Sequence, residues 1–322
     1  MIDTQNLIVI LGPTASGKTK LAVSVASKLN GEIISADSRQ VYRGMTIGTG
    51  KDYDEYLPFF KPNQEWSAGM EGVHLIDIVA AGDSYNVAFF QNDFQKAYQD
   101  IISRNKIPIL CGGSGMYIEA VLRNYENTQV PVDQAFRDIL EQKSGEELEN
   151  IFQESYAQIN QNADISTRKR LIRAIEIGAF KIREVISETN GVVTKTQNSE
   201  LRTQNFGISL PVETRRERIT NRLHERLQNG MIEEVKMLLE SRISPEKLIF
   251  YGLEYKFITE YLTGVLTYDE MAKRLEIAIH QFAKRQMTFF RSMERKGLKI
   301  NWLDGLQTVE EMAWEVVRMV RK

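Results

Sequence analysis

The sequence predicts an α/β fold: a parallel sheet flanked by helices, with an all-helical segment inserted into it. Three observations carry this expectation. Short apolar runs end in glycine-rich turns, helical patterns follow the runs, and the strand signal disappears between about Val132 and Asn198. A sheet covered by helices on both faces buries its strands completely, so such strands read as continuous apolar runs rather than as alternation.

The first run, residues 7–11, ends in Gly12-Pro13. Leu21, Val25 and Leu29 then recur at four-residue steps beside Ala22 and Ala26, the apolar stripe of a helix, which Asn30-Gly31 stops. Residues 32–36 read as a second strand, 84–104 as a helix, and 107–111 as a third strand ending in Gly112-Gly113. Helical patterns over 135–142, 146–159 and 167–182 fill the insertion, after which 205–210 returns as a strand and 299–303 adds another. Residues 213–240 read as one helix, because Ile219, Leu223, Leu227, Met231 and Val235 keep a four-residue step; 269–295 is another. The Pro-, Asn- and aromatic-rich stretch 52–72 reads as a surface loop. The expected organisation is a discontinuous core, 1–128 and 199–322, around an inserted helical domain, 129–198. A length of 322 residues fits two such parts, and no internal repeat is visible.

Composition narrows the function classes. With 42% hydrophobic and 26% charged residues the chain can bury a core. A single cysteine, Cys111, excludes an intramolecular disulfide and any cysteine-rich metal cluster, and predicts a cytoplasmic protein. The start lacks a basic n-region, and no apolar run approaches the roughly 20 residues that span a bilayer. The net charge of −2 gives no hint of a polyanionic partner, yet residues 164–226 carry 13 Lys/Arg against 8 Asp/Glu. A local excess of this kind either presents a face to nucleic acid or is a solvated helical surface.

The strongest chemical signal is Gly12-Pro13-Thr14-Ala15-Ser16-Gly17-Lys18-Thr19, which fits G-x-x-x-x-G-K-[ST] between a strand and a helix. Glycines let backbone N–H groups face phosphate oxygens, the helix dipole and Lys18 add positive potential, and the Thr19 hydroxyl is placed to ligate Mg²⁺. The motif leaves the rest of the ligand open, since ATP, GTP and an allylic diphosphate present similar oxygens. Asp37 follows the second strand directly and can accept a proton from a substrate N–H or O–H, or serve as a turn aspartate. Gly112–Tyr117 offers a second close-approach turn with the Ser114 hydroxyl. Cys111 reads as a small buried hydrophobe, and none of the three histidines has zinc-ligand spacing. Arg218, Arg222 and Arg226 repeat every four residues on one helical face, and Arg168-Lys169-Arg170-Leu171-Ile172-Arg173 is a second basic turn. Each is either an anion-binding row or a set of solvated ion pairs. Lys284-Arg285-Gln286 interleaves with Phe282, Phe289 and Phe290, aromatics that serve either core or base stacking.

Taken together, the ordered blocks 12–19, Ala-Asp-Ser-Arg-Gln-Val-Tyr-Arg-Gly (36–44), Ile-Gly-Thr-Gly-Lys (47–51), His-Leu-Ile-Asp (74–77), Gly-Gly-Ser-Gly-Met-Tyr (112–117) and Ala-Lys-Arg-Gln-Met-Thr-Phe-Phe-Arg (283–291) resemble the tRNA dimethylallyltransferase, or tRNA isopentenyltransferase, family over most of the chain. The resemblance implies a P-loop NTPase-like core with an inserted tRNA-binding domain. It implies transfer of the dimethylallyl group of dimethylallyl diphosphate to N6 of adenosine 37, next to the anticodon, with Mg²⁺ as cofactor and the tRNA anticodon stem-loop as partner, by a monomer. Carried over, Gly12–Thr19 would hold the diphosphate with Thr14 in contact, Thr19 the metal, Asp37 the N6 proton, and Arg218 the departing diphosphate. Asp37, Ser38, Arg39, Gln40, Ser114, Arg137, Lys169, Arg170, Leu171, Ile172, Arg173 and Gly252 would meet the tRNA. The chain departs from the family in Ser114 for threonine, in Tyr251-Gly252-Leu253-Glu254-Tyr255 for Gly-Tyr-x-Glu, in His280 for arginine, and in a longer stretch between Lys51 and His74. An isopentenyltransferase acting on AMP, ADP or ATP, a small-molecule kinase with this loop, and a non-catalytic RNA-binding protein remain alternatives. The basic stretch 164–226 favours a tRNA substrate, the insertion is unexplained in a kinase, and an intact Asp37 disfavours the last.

Overall fold

A computed structural model describes residues 6–59, 71–128, 130–161, 163–188 and 201–322. The chain divides into two compact units, Met1–Asn124 with Leu201–Lys322, and Tyr125–Glu200.

In the first unit β1 (Leu7–Leu11) leads through the glycine-rich loop into α1 (Lys18–Leu29), then β2 (Gly31–Ser35), β3 (Val73–His74), α2 (Val87–Ser103), β4 (Ile107–Gly112) and α3 (Gly115–Leu122). The second unit holds α4 (Gln134–Glu141), α5 (Gly145–Ser155) and α6 (Arg168–Glu188). The first unit resumes with β5 (Thr203–Ser209), α7 (Val212–Gln228), α8 (Met231–Glu240), α9 (Pro245–Tyr251), α10 (Leu253–Leu262), α11 (Tyr268–Arg295), β6 (Asn301–Asp304) and α12 (Val309–Val320). All strands pair in parallel in one sheet of order β3-β2-β4-β1-β5-β6.

β1 lies inside the sheet, so both its faces are covered. Ile8 and Ile10 pack with Leu21, Val25 and Ala26 of α1 and Val316 and Val317 of α12. Leu7, Val9 and Leu11 point the other way, onto Phe90 and Phe94 of α2, Ile118 of α3 and Phe290 of α11. A third core joins α7 to α11 with Val41, Tyr42 and Met45 from the chain after β2, so these helices pack on the loop that leaves a strand's carboxyl end. The second unit has its own core of Leu140, Leu148, Phe152, Leu171, Ile172 and Ile175.

Two expectations need correction, and one strand is additional. The helix expected over 213–240 is two helices, because Gly230 takes φ +95° and breaks the ladder while the apolar rhythm continues through it. The stretch from Asp52 is not simply a surface loop: Tyr53–Phe59 forms a 3₁₀ helix and Tyr56 is buried in the core beside α1; residues 60–70 lie outside the described residues. The two-residue strand β3 pairs with Ile33 and Ile34 of β2 and has no counterpart in the sequence reading. Among the described residues no helix is long and apolar enough to cross a membrane.

Candidate active site

The glycine-rich loop is prepared for an anion by what it lacks. Gly17 at the cap of α1 adopts φ +85°, no side chain caps the helix, and its first turn contains no acidic residue, so its amides and dipole stay uncompensated. A Cβ on Gly12 would stand 2.6 Å from Ser16 Oγ, so a larger residue there would displace that hydroxyl. Ser16 Oγ is buried with no hydrogen-bond partner among the described residues. Burial pushes the Lys18 ammonium below its ordinary range, opposed in part by the Asp37 carboxylate. An anion delivered to this loop relieves that cost.

A second glycine turn closes against the first. Gly112 approaches β2 so nearly that a Cβ would lie 2.1 Å from the Ala36 carbonyl. Gln286 of α11, almost fully buried, accepts from the Thr14 amide at 2.9 Å and donates to the Gly113 carbonyl at 2.9 Å, which ties the two turns together. Ser114 Oγ accepts from the Ser38 amide at 3.0 Å, and the Ser114 amide donates to the Ala36 carbonyl at 3.2 Å. The hydroxyl expected to meet tRNA therefore also pins the turn that carries Asp37.

Asp37 is half-buried. Its Oδ1 accepts from the Arg39 amide at 2.9 Å, so the turn-forming role holds, while Oδ2 takes no hydrogen bond among the described residues and keeps a lone pair for a proton. Ala36, just before Asp37, accepts from the Ser114 amide, and a Cβ on Gly113 would lie 3.6 Å from Lys18 Cε, so the turn that carries the carboxylate and the phosphate-loop cation border the same glycine turn. Arg39 donates to the Phe250 carbonyl at 3.2 Å and lies beside Gly252, and Gln40 bridges Ser35 Oγ and the Gly50 carbonyl. The following loop is anchored by Glu234 of α8, which accepts from the amides of Thr46, Ile47 and Gly48 and from the Tyr255 hydroxyl at 2.7 Å. The Tyr255 hydroxyl thus completes that anchor. Lys51 pairs with Asp77. Cys111 is buried, its thiol pushed up to about 12 chiefly by burial, which fits a packing role.

The arginine row divides. Arg218 is exposed and donates to the Gly305 carbonyl at 3.5 Å, whereas Arg222 and Arg226 line a small cavity with Thr14, Ala15 and Glu254. Both pair with Asp52, and not with Glu217 or Glu225. Arg222, one turn beyond the arginine singled out in the sequence, borders Thr14 of the phosphate loop, and its charge acts on Lys18. In the second unit Leu171 and Ile172 are core residues, which removes their side chains from any RNA contact. Arg137 pairs with the buried Glu176 at 2.5 Å, and Arg173 donates to the Val130 carbonyl at 2.5 Å and pairs with Glu176. Lys169 is exposed, and the exposed Arg170 pairs with Asp164 at 2.7 Å. Phe290 is buried, Phe289 half-buried and Phe282 exposed.

The residues present suit a divalent cation beside a phosphate. Thr19 lies in the first turn of α1, and the Ser16 hydroxyl, buried without a partner among the described residues, lies in the same loop. The cluster Glu32, His74 and Asp100 is no such site, because Lys106 at 2.6 Å and Arg104 already neutralise Glu32.

A family model described as IPP transferase matches residues 40–293, and one described as isopentenyl transferase matches residues 5–61. The chain belongs to the tRNA isopentenyltransferase family. Within that family it is 50% identical to tRNA dimethylallyltransferase 2 of Porphyromonas gingivalis, over 97% of this chain and 98% of the relative. It is also 50% identical to tRNA dimethylallyltransferase 1 of Azobacteroides pseudotrichonymphae, over 94% of each. Among solved structures, the tRNA isopentenylpyrophosphate transferase of Bacillus halodurans superposes with a TM-score of 0.67 at 28% identity, covering 98% of this chain and 96% of that one. A eukaryotic dimethylallyltransferase described as acting on tRNA gives 0.71 at 25%, covering 93% and 74%. Such relatives have a P-loop NTPase-like core, the architecture of the six-stranded parallel sheet described above.

In the sequence Gln286 stands out only within the basic and aromatic stretch 282–290 and the block 283–291, with no sign that it ties the two glycine turns together; Asp52 and Glu234 carry no local signature of their roles.

Proposed function

We propose that this chain prenylates tRNA, moving the dimethylallyl group of dimethylallyl diphosphate to N6 of the adenosine next to the anticodon and releasing diphosphate. What carries the reading is an uncapped phosphate loop bearing Lys18 beside the glycine turn that packs against Asp37, whose Oδ2 takes no hydrogen bond among the described residues. The donor's C1–O bond breaks as the N6–C1 bond forms. The amine proton passes to Asp37, and the electron pair leaves on diphosphate. An exocyclic adenine amine is a weak nucleophile because its lone pair is delocalised, so proton removal during attack helps. The loop amides, Lys18 and Arg222 stabilise the departing charge. Thr19 would hold Mg²⁺, which supplies further neutralisation of the diphosphate. The adenine must leave its stack to reach Asp37, and Lys169 and Arg170 offer charges for the phosphate backbone. The proposal includes a monomer acting in the cytoplasm.

The test offers labelled dimethylallyl diphosphate and Mg²⁺ with tRNA, with AMP or with no acceptor, and ATP as an alternative donor. Label in tRNA alone is expected. Label in AMP, or phosphoryl transfer from ATP, would overturn the reading.

A further inference from the structure

Asp52 closes the loop after β2 onto α7. Its Oδ2 takes Arg222 and its Oδ1 takes Arg226 at 2.8 Å, so one carboxylate is shared by two guanidinium groups. The side chains of both arginines are largely withdrawn from water, 28% and 15% exposed. Two adjacent, half-desolvated cations need a counter-anion, and Asp52 supplies it within the chain. The same arginines border Thr14 of the phosphate loop, and Arg222 acts on Lys18. A diphosphate on that loop therefore brings its charge to cations that already have an anion.

We infer that Asp52 competes with diphosphate for Arg222 and Arg226 and thereby promotes release of the leaving group after transfer. The inference rests on the diphosphate reading of the phosphate loop given above. Two other carboxylates stand nearby, but among the described residues neither bonds the arginine pair: Glu55 pairs with Lys20, at 3.9 Å, and Glu254 lines the cavity without a hydrogen bond to either guanidinium. Among the described residues, Asp52 alone holds both groups. Asparagine at this position keeps the shape and an acceptor oxygen, so the arginines stay in place while the competing charge is removed.

The experiment titrates inorganic diphosphate, with Mg²⁺, into the full chain and into Asp52→Asn and Asp52→Ser, with Glu310→Gln as a control for the loss of one remote negative charge. Both Asp52 variants are expected to bind diphosphate about tenfold more tightly, a change on the scale of one charge-assisted contact. They should also release labelled diphosphate more slowly after a single turnover, and the control should stay within about twofold. Equal or weaker binding in the Asp52 variants overturns the inference. Should the variants not fold, a crystal of the unaltered chain with diphosphate decides: Asp52 detached from at least one arginine supports it, and both pairs intact beside bound diphosphate overturns it. An unaltered chain that binds no diphosphate removes the proposed function as well, which keeps the two failures apart.

Discussion

Replacing Gln286 with leucine removes both hydrogen bonds that join the two glycine turns while leaving a side chain of similar bulk at a nearly closed site. The two bonds differ in what their loss costs. The Thr14 amide belongs to a half-buried loop and can recover water, so about 1 kcal/mol is at stake. The bond to the Gly113 carbonyl is buried, and an unpaired carbonyl there costs about 1–3 kcal/mol. The sum is about 2–4 kcal/mol, a large part of the stability of an ordinary domain. Urea unfolding of the two proteins side by side measures it. A second readout separates loop placement from general weakening: KM for the allylic diphosphate should rise about tenfold at temperatures where both proteins are folded, because the Thr14 amide is no longer held. Gln286→Glu keeps the acceptor for Thr14 but sets a carboxylate against the Gly113 carbonyl, so it should retain more of the diphosphate affinity than leucine while still losing stability. Stability within about 0.5 kcal/mol of the original, together with an unchanged KM for Gln286→Leu, would refute the argument that this side chain positions the loop.

Other expectations follow from the same geometry. Asp37→Asn should lower kcat by about 10²–10⁴-fold while tRNA affinity changes only a few-fold, measured by single-turnover transfer beside filter binding; equal loss in both would remove the base assignment. Lys169→Ala should weaken tRNA binding and reduce the slope of log K against log salt by about 1, and an unchanged slope would mark Lys169 as a solvated surface residue. Burial works against the Glu32 carboxylate, but hydrogen bonds from Arg104 and Lys106 and the contact with His74 outweigh it and hold its pKa at about 2, against an ordinary 4.5. A carboxyl depressed on folding contributes stability in full above its unfolded pKa and loses it as pH falls toward the folded value, here between about 4.5 and 2. Discounted for its partly exposed partners, the contribution is about 1–3 kcal/mol, and Glu32→Gln should lack that acid-dependent part in unfolding curves between pH 7 and 2. Parallel curves for the two proteins would contradict it.

The features legible in the sequence were those set by local chemistry. The run 7–11 and the loop 12–19 are visible because burial on both faces demands consecutive apolar residues and because phosphate binding demands glycines at fixed spacing. The break at Gly230 was hidden because Leu227, Met231 and Val235 keep one rhythm across it. A row with a four-residue step gains about 40° around the axis at each step, so Arg218, Arg222 and Arg226 cannot all face one target. That drift is why Arg218 reaches Gly305 and the other two reach Asp52. Leu171 and Ile172 look basic only by their neighbours; their own side chains fill the second unit's core. Gln286 and Asp52 act on partners 272 and 170 residues distant in sequence, Thr14 and Arg222, a separation no local pattern encodes.

The sheet order also bears on how the chain is made. β1 bonds β4 on one edge and β5 on the other, and the whole of the second unit is synthesised between those two partners. At ordinary ribosomal speeds, on the order of 5–20 s pass between the completion of β4 and the emergence of β5. Throughout that interval one edge of the apolar strand Leu7–Leu11 has no mate. A nascent chain stalled inside the insertion should therefore be captured by chaperones or aggregate, and one that has passed Ser209 should not.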